Sequence, residues 1–216
     1  SFITVLSIAG VTVGVMTLII VIAVMTGAES YFKTKILGVE PHVILRGSDG
    51  SIRDYPDVIE KVKNTPEVQS AVPFVETQAM LRASGGMSGA VLRGMDPSRE
   101  GTGIMGFTGP ELEEKLKPGI EGGGNAGMPS IILGKNLARN LGVEPGEVLY
   151  LISPRGMMTP AGHIPSMKRF RVGGVFESGF YEYDASFGYI HIKTAQNLLR
   201  IGDAVTGIGI RVSDIY

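Results

Sequence analysis

The sequence predicts an α+β protein made of an N-terminal transmembrane helix and a mixed domain that follows it. Two observations lead to this class. The first 28 residues, "SFITVLSIAGVTVGVMTLIIVIAVMTGA", carry no charged side chain, and the rest of the chain mixes strand and helix patterns without a regular βαβ repeat. All of the 20 basic and 21 acidic side chains lie beyond Ala28, so this second part has the charge content of an ordinary water-soluble domain.

Residues 1–28 are predicted to span a membrane, because about 20 apolar residues are enough to cross the hydrocarbon core. A buried core helix and a signal peptide are the alternatives. A core helix is rarely apolar on every side over such a length, and a signal peptide has an apolar region of only about 7–15 residues behind a basic start. The helix is expected to continue as a stem to about residue 38, where Gly38 is suited to a left-handed C-cap.

Small side chains share one face of this helix. They lie at positions i, i+3, i+7 and i+10, and Gly10 and Gly14 form a GxxxG pair. Small residues let two transmembrane backbones approach closely. We therefore expect helix–helix packing through Ser7, Gly10, Gly14 and Thr17.

The domain that follows, predicted as residues 39–216, contains strand and helix patterns in an irregular order. Strands are predicted at 42–46, 70–84, 88–95, 131–134, 147–153, 170–177, 187–192 and 206–212. Helices are predicted at 54–65, 135–142 and 194–201. A turn at Ser84-Gly85-Gly86 joins the second and third strands, and the glycine-rich stretch 119–130 is expected to be a flexible loop.

Composition excludes several classes of protein. The net charge of -1 argues against a nucleic-acid binder, which usually has a basic excess. The chain has no cysteine, so it has neither a disulfide framework nor thiol chemistry. It begins at Ser1 without an initiator methionine, and we expect it to be part of something longer.

No catalytic or metal site is predicted. The glycine run 122–124 is not followed by the Lys-Ser/Thr pair of a phosphate-binding loop. The histidines are too scattered for a metal site, and the acidic residues of "FESGFYEYDASFGY" are interpreted as solvated, without a nucleophile or base beside them. These residues are His42, His163 and His191, and Glu177, Glu182 and Asp184.

The segment "PRGMMTPAGHIP", residues 154–165, is unusual for a loop because it is apolar. Its three prolines make a poor strand interior and a poor helix, so a loop is predicted. Two interpretations stay open from the residues alone. Met157, Met158 and Ile164 either tuck into the core or are presented to a partner.

Three stretches of the sequence together are similar to a known family. They are "ILGVEPHVIL", "IILGKNLARNLGVEPGEVLYLISP" and "TPAGHIPSMKRFRVGGVFESGFYEYD". The chain resembles the permease subunit of the bacterial lipoprotein-releasing ABC transporter, the LolC/LolE family. The second stretch is shared with macrolide-efflux permeases, and the proline-bracketed segment is the sharper match. The resemblance covers most of the chain and implies a macrolide-efflux-permease-like periplasmic core with a protruding loop.

The resemblance implies that residues 154–165 form a hook that binds a periplasmic lipoprotein carrier. The hook residues carried over are Pro154, Met157, Met158, Thr159, Pro160, Gly162, His163, Ile164 and Pro165. Lys168 and Arg169 would form a basic pad at its foot, beside Tyr150 and Met167, which stand where the family can carry polar or basic groups.

The function implied is a transporter subunit of the bacterial inner membrane, with its main domain in the periplasm, that passes lipoproteins to the carrier. Its partners would be a separate ATP-binding subunit, a second permease copy or paralogue, the carrier, the lipoprotein cargo and membrane lipids. Neither nucleic acid nor a cofactor is expected, and the chain itself is not expected to be an enzyme. The alternatives are a related permease for small-molecule efflux or cell-wall hydrolase control, and a single-span ligand sensor.

Overall fold

The fold is described from a computed structural model, which covers residues 2–39, 41–99, 102–104, 106–119, 127–159 and 162–213, with backbone alone at 30–39, 154–159 and 162–166. The chain divides into two compact units, Ser1–Glu40 and Pro41–Tyr216.

The first unit is a single helix, α1 (Phe2–Val39). Its stretch Phe2–Glu29 is long and apolar enough to cross a membrane, and none of it is buried. A core helix of a soluble domain would instead be mostly covered. The predicted C-cap at Gly38 is wrong by a residue or more, because the helix continues through Gly38 to Val39. A glycine in the last helical turn costs only about 1 kcal/mol relative to alanine, so it does not force an end.

The second unit mixes strands and helices, which confirms the α+β class. Its described strands are β1 (Val43–Arg46), β2 (Val68–Ala83), β3 (Gly86–Met95), β4 (Ser130–Gly134), β5 (Val148–Thr159), β6 (Gly162–Phe176), β7 (Phe187–His191) and β8 (Gly207–Val212). Its described helices are α2 (Tyr55–Lys63), α3 (Gly109–Lys115), α4 (Lys135–Leu141), α5 (Tyr181–Ser186) and α6 (Ile192–Leu199).

The strands follow the order β1-β8-β2-β3-β7-β4-β6-β5, and β5 then returns to pair with β2. The sheet therefore curls back on itself. The 16-residue strand β2 makes this closure possible because it serves two neighbours along one edge. Its first half pairs with β8 at 68–74, and its second half pairs with β5 at 80–82. Its other edge pairs with β3 along 75–83.

The main core lies inside this curled sheet and includes buried residues of α4 and α6, such as Leu137 and Ala195. The turn between β2 and β3 packs against the end of α4, where the Gly85 amide donates to the Leu141 carbonyl at 3.0 Å. A Cβ on Gly85 would lie 2.7 Å from that carbonyl oxygen, so the contact needs glycine. Gly142 then ends α4 in the left-handed conformation, with φ of 63°, as its sequence predicts.

A second, smaller core lies on the opposite face of the sheet. It joins Leu112 of α3 to Phe176, Tyr189 and Ile132 of three strands. Neither α3 nor α5 was predicted from the sequence, and they are only 7 and 6 residues long. Helices this short give too few turns for a clear apolar period.

Asp184 on α5 corrects one prediction. It is buried rather than solvated, because its carboxylate accepts hydrogen bonds from the amide and hydroxyl of Ser178 at 2.8 and 2.7 Å. Glu177 and Glu182 are exposed, as interpreted from the sequence. A buried carboxylate needs such partners, and their positions depend on the fold of the 177–184 turn.

Candidate partner-binding site

The described residues contain no group of three His, Asp or Glu side chains placed to hold a metal ion. Two of the three histidines have structural roles instead. The Val212 amide donates to His42 Nδ1 at 3.3 Å, and the Lys193 amide donates to His191 Nδ1 at 3.2 Å, which caps α6. The candidate site is instead a hairpin and the surface at its base.

The hairpin is formed by β5 and β6, and it corrects the predicted loop. Residues 154–159 and 162–165 have strand backbone, whereas the sequence analysis assigned all of 154–165 to a loop. The ladder is broken at the prolines. Ser153 pairs with Ser166 and Met157 pairs with Ile164, so residues 154–156 lie opposite residue 165 alone. Proline is tolerated at such a bulge because the local ladder hydrogen bonds are already interrupted.

Beyond the bulge the two arms continue in register as far as the described residues extend. Met158 pairs with His163 and Thr159 with Gly162, while Pro160 of the predicted hook lies outside the described residues. Pairing with β2 ends at Ile152. In the described part of the sheet, the arms beyond that point therefore pair only with each other, and the hairpin extends past the sheet.

The two predicted pad cations lie at the hairpin base on opposite faces of β6. Lys168 pairs with Leu151 and Arg169 with Tyr150, and successive strand residues alternate between faces. Leu151 is buried and Tyr150 is exposed. Lys168 therefore lies at the rim of the core face, and Arg169 lies on the outer face. Both cations are exposed.

The outer face at the hairpin base carries two rows of residues that run across four strands. We call it the methionine face. One row is Met87, Arg82, Tyr150 and Arg169, and the other is Gly89, Met80, Ile152 and Met167. Four large apolar side chains are strongly exposed here: Met80 by 45%, Met87 by 56%, Tyr150 by 41% and Met167 by 54%. Exposed apolar side chains grouped in this way are typical of interaction surfaces, which makes the methionine face a candidate one.

Two cavities open along the methionine face. The larger, of about 550 Å³, is lined by Gln78, Ala79, Met80, Gly89, Ala90, Val91, Ile152 and Ser186. The other, of about 530 Å³, is lined by Arg82, Ala83, Ser84, Val148, Tyr150 and Met167. The face therefore offers concave apolar surface, with arginine side chains beside it.

A charged network fixes the neighbouring part of β2 and β3. Arg93 donates to Glu76 at 2.8 Å, and Arg46 donates to the other carboxylate oxygen at 3.2 Å. The Arg93 guanidinium also lies over the rings of Phe74 and Phe187, 5.1 and 5.3 Å from their centroids. Burial by itself raises the pKa of Glu76, but the hydrogen bonds and charges of Arg93 and then Arg46 outweigh it and hold the pKa below 4.5.

The methionine face was not predicted from the sequence, although part of its pattern is visible there. Met80 and Arg82 alternate with the buried residues Ala79 and Leu81, so the outward face of the strand predicted at 70–84 could be assigned. The pairing of β2 with β5 brings Met80 beside Ile152, 72 positions further along the chain. No local pattern predicts that contact.

The four small residues predicted for helix packing all lie exposed on α1. A Cβ built on Gly10 or Gly14 meets no atom of the described chain within 4 Å. Thr17 satisfies its hydroxyl on its own helix by donating to the Val13 carbonyl at 2.8 Å. The small-residue face is therefore open to another helix.

Comparison with known proteins gives consistent results. Residues 4–215 match the family model of the MacB-like periplasmic core domain. The chain is 35% identical to "Lipoprotein-releasing system transmembrane protein LolC" of Neisseria meningitidis serogroup B over 99% of its length, and 31% identical to the protein of the same name from Xylella fastidiosa (strain Temecula1) over 100%. The match covers 50% of each of these relatives, so the chain spans about half their length.

Among solved structures, the periplasmic region of MacB from Actinobacillus actinomycetemcomitans is similar, with a TM-score of 0.46 and 14% identity over 79% of this chain and 73% of that one. The family model itself spans both the apolar helix and the α+β domain. The chain is thus a membrane protein with a periplasmic-type domain, and it belongs to the family of the MacB-like periplasmic core domain.

Proposed function

We propose that this chain is the first transmembrane helix and periplasmic domain of the permease subunit of a lipoprotein-releasing ABC transporter in the bacterial inner membrane. The complex extracts lipoproteins from that membrane and hands them to a soluble periplasmic carrier. The observation that carries the proposal is the hairpin that extends past the sheet from an exposed apolar face, in a chain whose curated relatives are named for lipoprotein release.

The hook, residues 154–165, is the carrier-binding element in this proposal. Its arms are held in register by strand pairing, so little backbone entropy is lost when a partner docks. Met157 and Met158 are flexible enough to fit an irregular apolar surface. Lys168 and Arg169 lie on the two faces of the hairpin base, where they would contact the carrier on either side of the hook.

The helix α1 connects the domain to the rest of the transporter. Its small-residue face at Ser7, Gly10, Gly14 and Thr17 would pack against helices of the same permease or of a second copy or paralogue. ATP binding and hydrolysis belong to a separate cytoplasmic subunit in this proposal. The chain itself transmits motion and holds partners, and it does not catalyse a reaction.

The test is capture of the periplasmic carrier by the full chain with and without the hook. Ser153 and Ser166 are direct register partners, so residues 154–165 can be replaced by Asn-Gly, which closes a two-residue hairpin turn. We expect the replacement to abolish capture while thermal unfolding stays unchanged. As a control, Gln69→Ala changes an exposed residue at the far end of β2 and should capture the carrier normally.

Two outcomes would contradict the proposal. Undiminished capture after replacement would show that the hook is not the binding element. Absence of capture by the intact chain would favour a permease of another specificity, or a ligand sensor.

A further inference from the structure

The larger cavity of the methionine face is lined in part by Gly89, which has no side chain to occupy it. Gly89 lies opposite Met80 across the β2–β3 pair, and a Cβ built on Gly89 meets no atom of the described chain within 4 Å. The backbone there does not need glycine, because Gly89 is not among the residues with positive φ. The backbone conformation of β3 therefore does not require glycine at position 89, and a larger side chain would fit there.

The chemistry of the lining is nearly uniform. Of the eight lining residues only Gln78 and Ser186 carry polar side chains, and the Ser186 hydroxyl already donates to the Glu182 carbonyl at 2.6 Å. Met80 and Ile152 form one wall. A volume of about 550 Å³ is in the range of small-molecule sites, about 300–1,000 Å³. The cavity suits a flexible apolar ligand.

Positive charge lies beside the cavity on the same face. Arg82 is two residues from Met80 along β2, and Arg169 is two residues from Met167 along β6, so each lies about 7 Å along its strand from the apolar row. In the described part of the chain neither guanidinium forms an ion pair. They are therefore available to an anionic group whose apolar part occupies the cavity.

We propose that this cavity binds one acyl chain of an anionic lipid-like amphiphile, with its head group beside Arg82 and Arg169. The same chain carries a helix that is long and apolar enough to cross a membrane, so lipids are present in the surroundings of the protein. The natural source of the acyl chain would be an anionic lipid of the membrane, so the inference goes beyond the proposed function and does not depend on the lipoprotein cargo.

The experiment uses the full chain in lipid nanodiscs that contain a photoreactive palmitic acid. After irradiation and trypsin digestion, mass spectrometry compares labelling of the peptides that end at Arg82 and Arg93 with labelling of α1, which serves as an internal reference. We expect Gly89→Trp to reduce labelling of these two peptides at least tenfold relative to α1, because the indole occupies the open space above Gly89 that the acyl chain would enter. Gln69→Trp, the same substitution on the far half of β2, should leave it unchanged.

A second pair of measurements tests the head-group position. Arg82→Gln combined with Arg169→Gln should reduce labelling by the photoreactive acid several-fold but not labelling by its methyl ester. Because Arg82→Gln removes a trypsin site, labelling is summed over residues 64–93 in every protein that is compared. Thermal unfolding checks each variant, and Gly89→Leu replaces Gly89→Trp if the latter fails to fold.

Labelling confined to α1, or unaffected at the domain peptides by Gly89→Trp, would overturn the inference. Loss of carrier capture in Gly89→Trp without any acyl labelling of the domain would also overturn it, since the face would then be a protein-binding surface. Carrier capture through the hook is measured without the photoreactive acid. Its failure would refute the proposed function and leave the acyl labelling result standing.

Discussion

Glu76 lies between two guanidinium groups, and its own amide donates to the Thr206 hydroxyl at 2.7 Å. Arg93 is the more buried partner, and a buried charge without a partner is costly. The carboxylate therefore joins β2 to β3 and, through Arg46, to β1. This network stabilises the sheet next to the methionine face.

We expect Glu76→Gln to lower the free energy of unfolding by about 1–3 kcal/mol at pH 7, because the charge-assisted hydrogen bonds are lost. The pKa of Glu76 is below its ordinary value of 4.5 in the folded state. Its contribution is therefore complete above pH 4.5 and disappears as pH falls through the folded pKa. Urea unfolding at pH 7 and pH 3 measures the difference between the two proteins.

Glu177→Gln is the matched control, since Glu177 forms an exposed pair with Lys135 and such pairs contribute at most about 1 kcal/mol. A Glu76→Gln effect that is equal at both pH values would contradict the role of the ionised carboxylate.

Single residues show how far the sequence could predict the structure. The cap at Gly142 was predictable because glycine after a helical pattern favours the left-handed conformation, and the structure confirms it. The burial of Asp184 was not predictable, because it depends on Ser178 reaching the same carboxylate oxygen. Residue type indicates what a side chain can do, and the fold determines which partner it meets.

Among the elements, β5 and β6 differ most from their predicted form. The first strand was predicted to end at residue 153, before Pro154, and the second to begin at residue 170, whereas β5 continues to Thr159 and β6 begins at Gly162. Proline does exclude regular ladder pairing, but a bulge removes that conflict. The extension of the strands depends on pairing between the two arms, which a prediction for each strand alone does not include.

Triple replacement of Met157, Met158 and Ile164 by alanine tests the hook as an element. If these side chains face a partner, we expect each substitution to change stability by less than about 0.5 kcal/mol and the triple variant to lose carrier binding, since a central apolar contact is worth roughly 2 kcal/mol or more. Thermal unfolding and carrier affinity are measured on the same protein. A large fall in melting temperature with affinity retained would show that the residues belong to the core.

The helix α1 allows a similar test. We expect Gly10→Ile or Gly14→Ile to reduce assembly of the transporter, because a β-branched side chain blocks close approach of a second helix. Gly27→Ile is the control, since Gly27 is also open but lies about 120° around the helix from the small-residue face. The yield of purified complex is the measurement, and equal yields for all three variants would remove the packing role.

At the scale of the whole molecule, the order of the strands could not be predicted. The α+β class was predictable from the irregular mixing of strand and helix patterns. The strand order was not, because β3 lies beside β7, and β5 pairs with β2 across a large separation in sequence. Such long-range pairing leaves no periodic signal along the chain. The methionine face and its cavities depend on this closure, so they could not be predicted either.

The second compact unit, Pro41–Tyr216, has a large buried core of its own. We expect a chain trimmed to residues 41–216 to be soluble and to unfold in one cooperative transition, while the full chain partitions into membranes. Fractionation after mild expression and thermal unfolding provide the measurements. A trimmed chain found only in the insoluble fraction would contradict an independently folding domain.

The shared strand β2 also has a mechanical consequence. One continuous backbone is bonded to β8 near its start and to β3 and β5 near its end, and these bonds lie across the strand direction. A force directed along β2 therefore loads many bonds in shear together instead of opening them one by one. Through β2, the base of the hairpin is connected to the β1–β8 edge of the sheet. A displacement of that edge along β2 would therefore be transmitted to the hairpin.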